Sequence, residues 1–175
     1  MNQLKILASI CLLGALSLPA LAGPQHKAVL AELSGMEDAP TAARLTALGP
    51  GVKAELMDIS ADASQKRSVR ARALHALGWF PDADTRAVLQ SALTGDDPLM
   101  ARKAVYGLAN GWGSAALAPL TEALASPDVQ LRSAAARALG SVDSPDARAA
   151  LDARLQLEQT PAVRESIERA LQPTR

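Results

Sequence analysis

The sequence predicts an all-α solenoid, a stack of antiparallel helix pairs, and three observations carry that prediction. A ten-residue phrase, VRARALHALG at 69–78, returns as MARKAVYGLA at 100–109, LRSAAARALG at 131–140 and VRESIERALQ at 163–172, about every thirty-one residues. Its apolar positions recur at i, i+4, i+7 and i+8, which is one face of a helix, whereas a strand needs strict alternation. Alanine and leucine dominate, and two Trp, one Tyr and one Phe are the only aromatic residues. Small and medium side chains suit closely packed helices better than a β-sandwich.

The first element in chain order is a leader. Lys5 precedes an apolar run from Ile6 to Leu18, and Ala20-Leu21-Ala22 follows. That order predicts a secretory signal peptide over 1–22, cleaved after Ala22, and a secreted or periplasmic protein. The run is shorter than the ~20 residues of a spanning helix, and nothing later is apolar enough to span a membrane. Cys11, the single cysteine, lies inside the run behind Ile10, where a lipoprotein signal needs a small residue. Removal of the leader then leaves no thiol, which excludes disulfides, cysteine metal sites and cysteine nucleophiles. Residues 23–175 fit one repeat domain by length.

Within that domain, residues 25–34 and 40–48 predict a first, atypical helix pair, as capping repeats are. Residues 51–61 predict the next A helix through Val52, Leu56 and Ile59. From 65 to 172 the pattern is strongest. Val69, Met100, Leu131 and Val163 form one apolar column of the B helices; Ala73, Ala104, Ala135 and Ile167 form a second. Ala76, Gly107, Ala138 and Ala170 form a third, and Leu77, Leu108, Leu139 and Leu171 a fourth. Between the phrases, Leu89, Leu120 and Leu151 align, as do Leu93, Leu124 and Leu155, which marks the A helices. Asp97-Pro98, Ser126-Pro127, Ser144-Pro145 and Thr160-Pro161 read as N-caps before a first-turn proline, and Gly95 and Gly111 as helix stops. The count is about five antiparallel pairs.

The stretch SPDVQLRSAAARALGSVDSPDARAALDARL at 126–155 resembles a HEAT repeat of the short kind found in phycobilin-lyase-type proteins. Asp128, Leu131-Arg132, Ala134-Ala135 and Leu139-Gly140 fill the positions of that pattern; Ala101 and Gln172 depart from it, standing in place of its arginine and its glycine. The resemblance covers about residues 40–172. It implies a right-handed superhelix with B helices on the concave side, and a binding surface without a specified ligand. It also implies an aspartate partner for the repeat arginines Arg70, Arg132 and Arg164, for which Asp97 and Asp128 are the candidates. These arginines lie on the flank of the apolar face, where stacked repeats pair their polar edges, so a structural role is expected of them.

The functional classes narrow by exclusion. His26 and His75 lie two repeats apart, and no HExxH, acid cluster, GxSxG elbow or phosphate-cradling glycine loop is present. The expectation is a non-enzyme with no catalytic residues, no metal and no cofactor. The net charge of zero predicts no nucleic-acid partner. Basic residues concentrate on the B helices and acidic ones on the A helices, which predicts a basic concave face and a protein or peptide partner, acidic by preference. The column opposite the core is His75, Tyr106, Arg137 and Arg169, with Arg102 sharing its direction. Trp79 and Trp112 close the ends of two neighbouring B helices, and Trp and Tyr are enriched in binding hot spots. His75, Trp79, Arg102, Tyr106, Trp112, Arg137 and Arg169 are therefore the candidate partner-binding residues. The alternative is a small-molecule or cofactor-handling module, suggested by the bilin-lyase resemblance, with a pocket near His75, Tyr106 and Trp112.

Overall fold

Ten α-helices and two short 3₁₀ turns account for most of residues 23–35 and 40–172, the residues that the computed structural model describes; no strand occurs among them. The helices are α1 Pro24–Ser34, α2 Ala42–Thr46, α3 Val52–Ala61, α4 Arg67–Ala76, α5 Ala83–Thr94, α6 Pro98–Trp112, α7 Leu117–Leu124, α8 Val129–Gly140, α9 Pro145–Leu157 and α10 Pro161–Leu171. The leader predicted over 1–22 lies outside the described residues. No helix among the described residues is long and apolar enough to cross a membrane.

Each odd-numbered helix from α3 onward packs on the helix that follows it, and α4, α6, α8 and α10 also pack on one another in chain order. The result is a continuous row of even-numbered helices backed by odd-numbered ones. The columns of the sequence form the seam between these layers. Ala73, Ala104, Ala135 and Ile167 are fully buried, as are Leu77, Leu108, Leu139, Leu89, Leu120 and Leu151. In the last described helix Ala170 and Leu171 are only partly buried.

Small residues decide how closely the row packs. A Cβ on Gly78 would sit 2.3 Å from the Gly107 carbonyl oxygen, and one on Gly111 would sit 2.8 Å from the Gly78 carbonyl oxygen. At these points the backbones of the α4 end and α6 touch, which only glycine permits. Gly111 therefore lies inside α6 instead of stopping it. The helix runs on to Trp112 and ends at Gly113, whose φ of +49° favours glycine.

Local capping chemistry starts the helices. Asp97 accepts hydrogen bonds from the Leu99 and Met100 amides, and Asp82 and Thr85 form a reciprocal capping box at α5. The Ser126 expectation shifts by two residues. Asp128 is the cap of α8, accepting from the Leu131 amide, and the Ser126 hydroxyl accepts from the Asp128 amide. An aspartate carboxylate accepts the helix amides more strongly than a hydroxyl does, and its charge suits the helix N-terminus. Ser144 and Thr160 occupy cap positions before Pro145 and Pro161 without a side-chain cap bond.

Candidate binding face on the even-numbered helices

Opposite their buried columns the even-numbered helices share a second register: His75 on α4, Tyr106 on α6, Arg137 on α8 and Arg169 on α10, with Arg102 one turn before Tyr106. His75, Arg102 and Tyr106 are half-buried, and Arg137 and Arg169 are exposed.

His75 is the centre of a ring cluster. Its centroid lies 5.5 Å from that of Trp79 and 6.1 Å from that of Tyr106, the latter edge-on. The Asn110 side-chain amide nitrogen lies 3.2 Å from His75 Nε2, within hydrogen-bond reach of the ring. Burial pushes the imidazole below its ordinary pKa, and the positive charge of Lys103 adds to this. Both effects favour the neutral imidazole.

Trp112 takes a different partner. The Arg86 guanidinium stacks 5.9 Å from its ring centroid and donates to the Ala115 carbonyl at 2.9 Å, tying α5 to the turn after α6. Trp79 and Trp112 follow glycines whose backbones touch, yet one ring joins His75 and the other lies against Arg86.

The flank arginines bind main-chain carbonyls at the ends of odd-numbered helices or in the loops that follow them. Arg70 donates to Ser60 O at 3.2 Å, Arg132 to Ser126 O and Pro127 O at 2.9 and 3.0 Å, and Arg164 to Leu155 O and Glu158 O at 2.8 and 3.1 Å. A guanidinium there satisfies orphan carbonyls and opposes the negative end of the helix dipole. The aspartate partners expected from the resemblance are not the ones used. Asp97 is held by Arg67 at 2.6 Å, and Asp128 caps its own helix. Arg132 instead makes a two-point contact with Glu158, at 2.9 and 3.1 Å.

Glu158, 2% exposed, also accepts from Arg154 at 2.6 Å and from the Thr160 amide at 2.9 Å. Burial alone raises its pKa, but the bonds from Arg132, Arg154 and Thr160 outweigh that and hold the carboxyl well below the usual range. This buried cluster locks α8 to the α9–α10 junction. In the sequence Glu158 is one more acid of an A helix, and nothing local marks it as the partner of an arginine 26 residues earlier.

With those roles assigned, two arginines stand apart. Every other arginine among the described residues makes a hydrogen bond or ion pair; Arg102 and Arg137 make none. They sit on adjacent, packed helices in the outward register. Arg169, the last member of that register, is ion-paired with Glu165 at 2.6 Å, and Glu168 is exposed beside them. The face is thus cationic over α6 and α8 and mixed in charge over α10.

Three clefts lie elsewhere. One of about 530 Å³ opens between the ends of α8 and α10 and the start of α9, one of about 460 Å³ between α3–α4 and α5–α6, and one of about 360 Å³ between α1 and α4. None of these three is lined by His75, Tyr106 or Trp112. No group of three or more His, Cys, Asp or Glu side chains among the described residues is arranged to hold a metal ion.

Comparison with known proteins places this architecture. Residues 89–172 match the family model described as HEAT repeats. Human deoxyhypusine hydroxylase, solved in complex with glycerol, is 30% identical over 68% of this chain with a TM-score of 0.55; the match spans 42% of the hydroxylase chain. The complex of CpcE and CpcF of phycocyanin lyase from Nostoc sp. PCC7120 is 22% identical, with a TM-score of 0.61 over 84% of this chain and 98% of that one. A search of curated proteins gave no match.

Proposed function

We propose that the chain, whose residues 89–172 match the family model described as HEAT repeats, is an exported scaffold, without catalytic activity of its own, that engages a protein or peptide partner through the outward face of α6 and α8. The single observation behind this reading is the pair Arg102 and Arg137, unpartnered among the described residues while every other described arginine is engaged. A guanidinium left without a carboxylate or carbonyl is available to one supplied by a partner. Acidic segments are accordingly the favoured ligands. The ring cluster of His75, Trp79 and Tyr106 borders the cationic strip and offers an apolar anchor of the kind that dominates binding energy.

The test is affinity capture from the envelope fraction with the protein and with its Arg102→Glu/Arg137→Glu variant, far-ultraviolet circular dichroism confirming that both are folded. Loss of the captured partner in the variant is the expected result, and an unchanged capture set would remove the face from consideration. Export is tested separately. N-terminal sequencing of protein recovered from that fraction should begin at Gly23, and a chain that begins at Met1 would contradict it.

A further inference from the structure

We infer that the cleft of about 460 Å³ between α3–α4 and α5–α6 is a binding site for a carboxylate carried on an apolar group, with the Arg70 guanidinium as its counter-ion. The site is separate from the outward face of α6 and α8 and does not depend on the partner proposed there.

Arg70 and Arg132 hold the same position of the repeated phrase, but their surroundings differ. Beside Arg132 the odd-numbered helix of the next pair is α9, whose C-cap is Glu158. That carboxylate takes Arg132 Nε and Nη2 at 2.9 and 3.1 Å, and Arg154 reaches it from one turn earlier at 2.6 Å. These side chains close the junction and leave Glu158 2% exposed. Beside Arg70 the corresponding helix is α5, whose C-cap is Gly95. Leu93 aligns with Leu155, so Ala92 stands where Arg154 stands. Carboxylate and second guanidinium are both cut back to small residues, and Ala92 and Gly95 line the cleft. Counted from the aligned leucines the acid would be Asp96, three residues past Leu93 as Glu158 is three past Leu155. Asp96 is exposed and forms no ion pair among the described residues, so neither count gives Arg70 a carboxylate.

Arg70 is left with one hydrogen bond, from Nε to Ser60 O at 3.2 Å, and no ion pair among the described residues. Its two terminal nitrogens are therefore open to a carboxylate, which a guanidinium fork takes with two parallel bonds. Much of the remaining lining is apolar: Leu74 and Met100 are buried, and Val88 and Ala92 are partly buried against the core. Head and tail of such a ligand thus each meet matching chemistry, in a volume within the ~300–1,000 Å³ usual for ligand pockets. Of the acids nearby, Asp62 is engaged by Ser64 and Gln65, and Asp97 by Arg67. Asp96 alone opposes an anion there, and its exposed charge is screened by salt more than that of half-buried Arg70.

The experiment is an NMR titration of the isotope-labelled protein at physiological salt, read at the amides of Ser91, Gly95 and Asp96. One probe is octanoate and the other is the peptide Gly-Ser-Gly-Leu with a free C-terminus; the tighter of them identifies the source as a free acid or a chain end. That probe should bind at least about tenfold more tightly than its own amide, and Arg70→Gln should lose the same factor. Asp96→Asn should tighten it. Gly95→Glu supplies the missing carboxylate from within, and the chain accommodates it, since a Cβ there meets nothing nearer than 3.4 Å and φ is −78°. This variant should abolish binding, whereas Gly95→Ala should retain it. An amide that binds as tightly as its acid, undiminished binding to Gly95→Glu, or no saturable shift with either probe would overturn the site.

Discussion

Arg132 and Arg137 sit five residues apart on α8 and have opposite fates. Arg132 is buried against Glu158, and Arg137 reaches solvent without a partner. Removing one member of a buried pair leaves the other charge uncompensated, so Glu158→Ala should cost about 3–5 kcal/mol in urea unfolding. A loss under about 1 kcal/mol would mean that the cluster is not a lock. The same carboxylate sets an acid limit. Its folded pKa lies below the unfolded value, and those of Asp97 and Asp82 are lowered to about 2, so the stability they confer is complete above the ordinary carboxylate range and is lost as pH falls below it. Unfolding free energy should decline on acidification below about pH 5, less steeply in Glu158→Gln. His75 should titrate below about 6.5 by proton NMR, the ordinary histidine value; a midpoint above it would contradict the buried, Lys103-facing ring. At this scale the direction of each side chain was legible from the helical register, but partners were not. Arg132 finds Glu158 and Arg67 finds Asp97 across repeat junctions, where a change of one residue in loop length alters which groups meet.

The helices themselves were legible because one amphipathic phrase repeats, and an apolar face that returns every turn has few ways to be buried. Helix ends were less so. Gly111 looks like a stop because glycine commonly ends helices, yet here it admits the Gly78 carbonyl, a contact between residues 33 positions apart that no local pattern reports. Gly78→Ala should therefore lose about 1–3 kcal/mol through overpacking, because backbone and not a flexible side chain occupies the space. Gly95→Ala is the control. Its Cβ would meet nothing nearer than 3.4 Å and its φ is −78°, so stability should hold or rise by up to about 1 kcal/mol. Leu108→Ala, at a fully buried position of the α4–α6–α8 row, should lose about 2–5 kcal/mol in the same assay. Comparable losses at Gly78 and Gly95 would show that glycine matters there for flexibility and not for close approach.

Among the described residues, the arginines are engaged at repeat junctions and helix ends, and Arg102 and Arg137 alone among them are not. A chain of zero net charge carries a cationic strip because its acids lie off that face: Asp82, Asp97 and Asp128 cap helices and Glu158 sits in a junction. The basic character of the B helices was visible in the sequence, but the division of labour among their arginines was not, since it depends on which carbonyls and carboxylates the stacking brings within reach. The central claim is that Arg102 and Arg137 form an acidic-peptide site as a pair in place, and not through bulk charge. The most direct measurement is calorimetric titration of an aspartate-bearing peptide into the protein, into Arg102→Glu/Arg137→Glu, and into Lys27→Glu/Arg148→Glu, which alters net charge equally at exposed positions on other helices. The account predicts binding by the protein and by the second variant, with affinity lost about tenfold or more in the first. Equal weakening in both variants would contradict it.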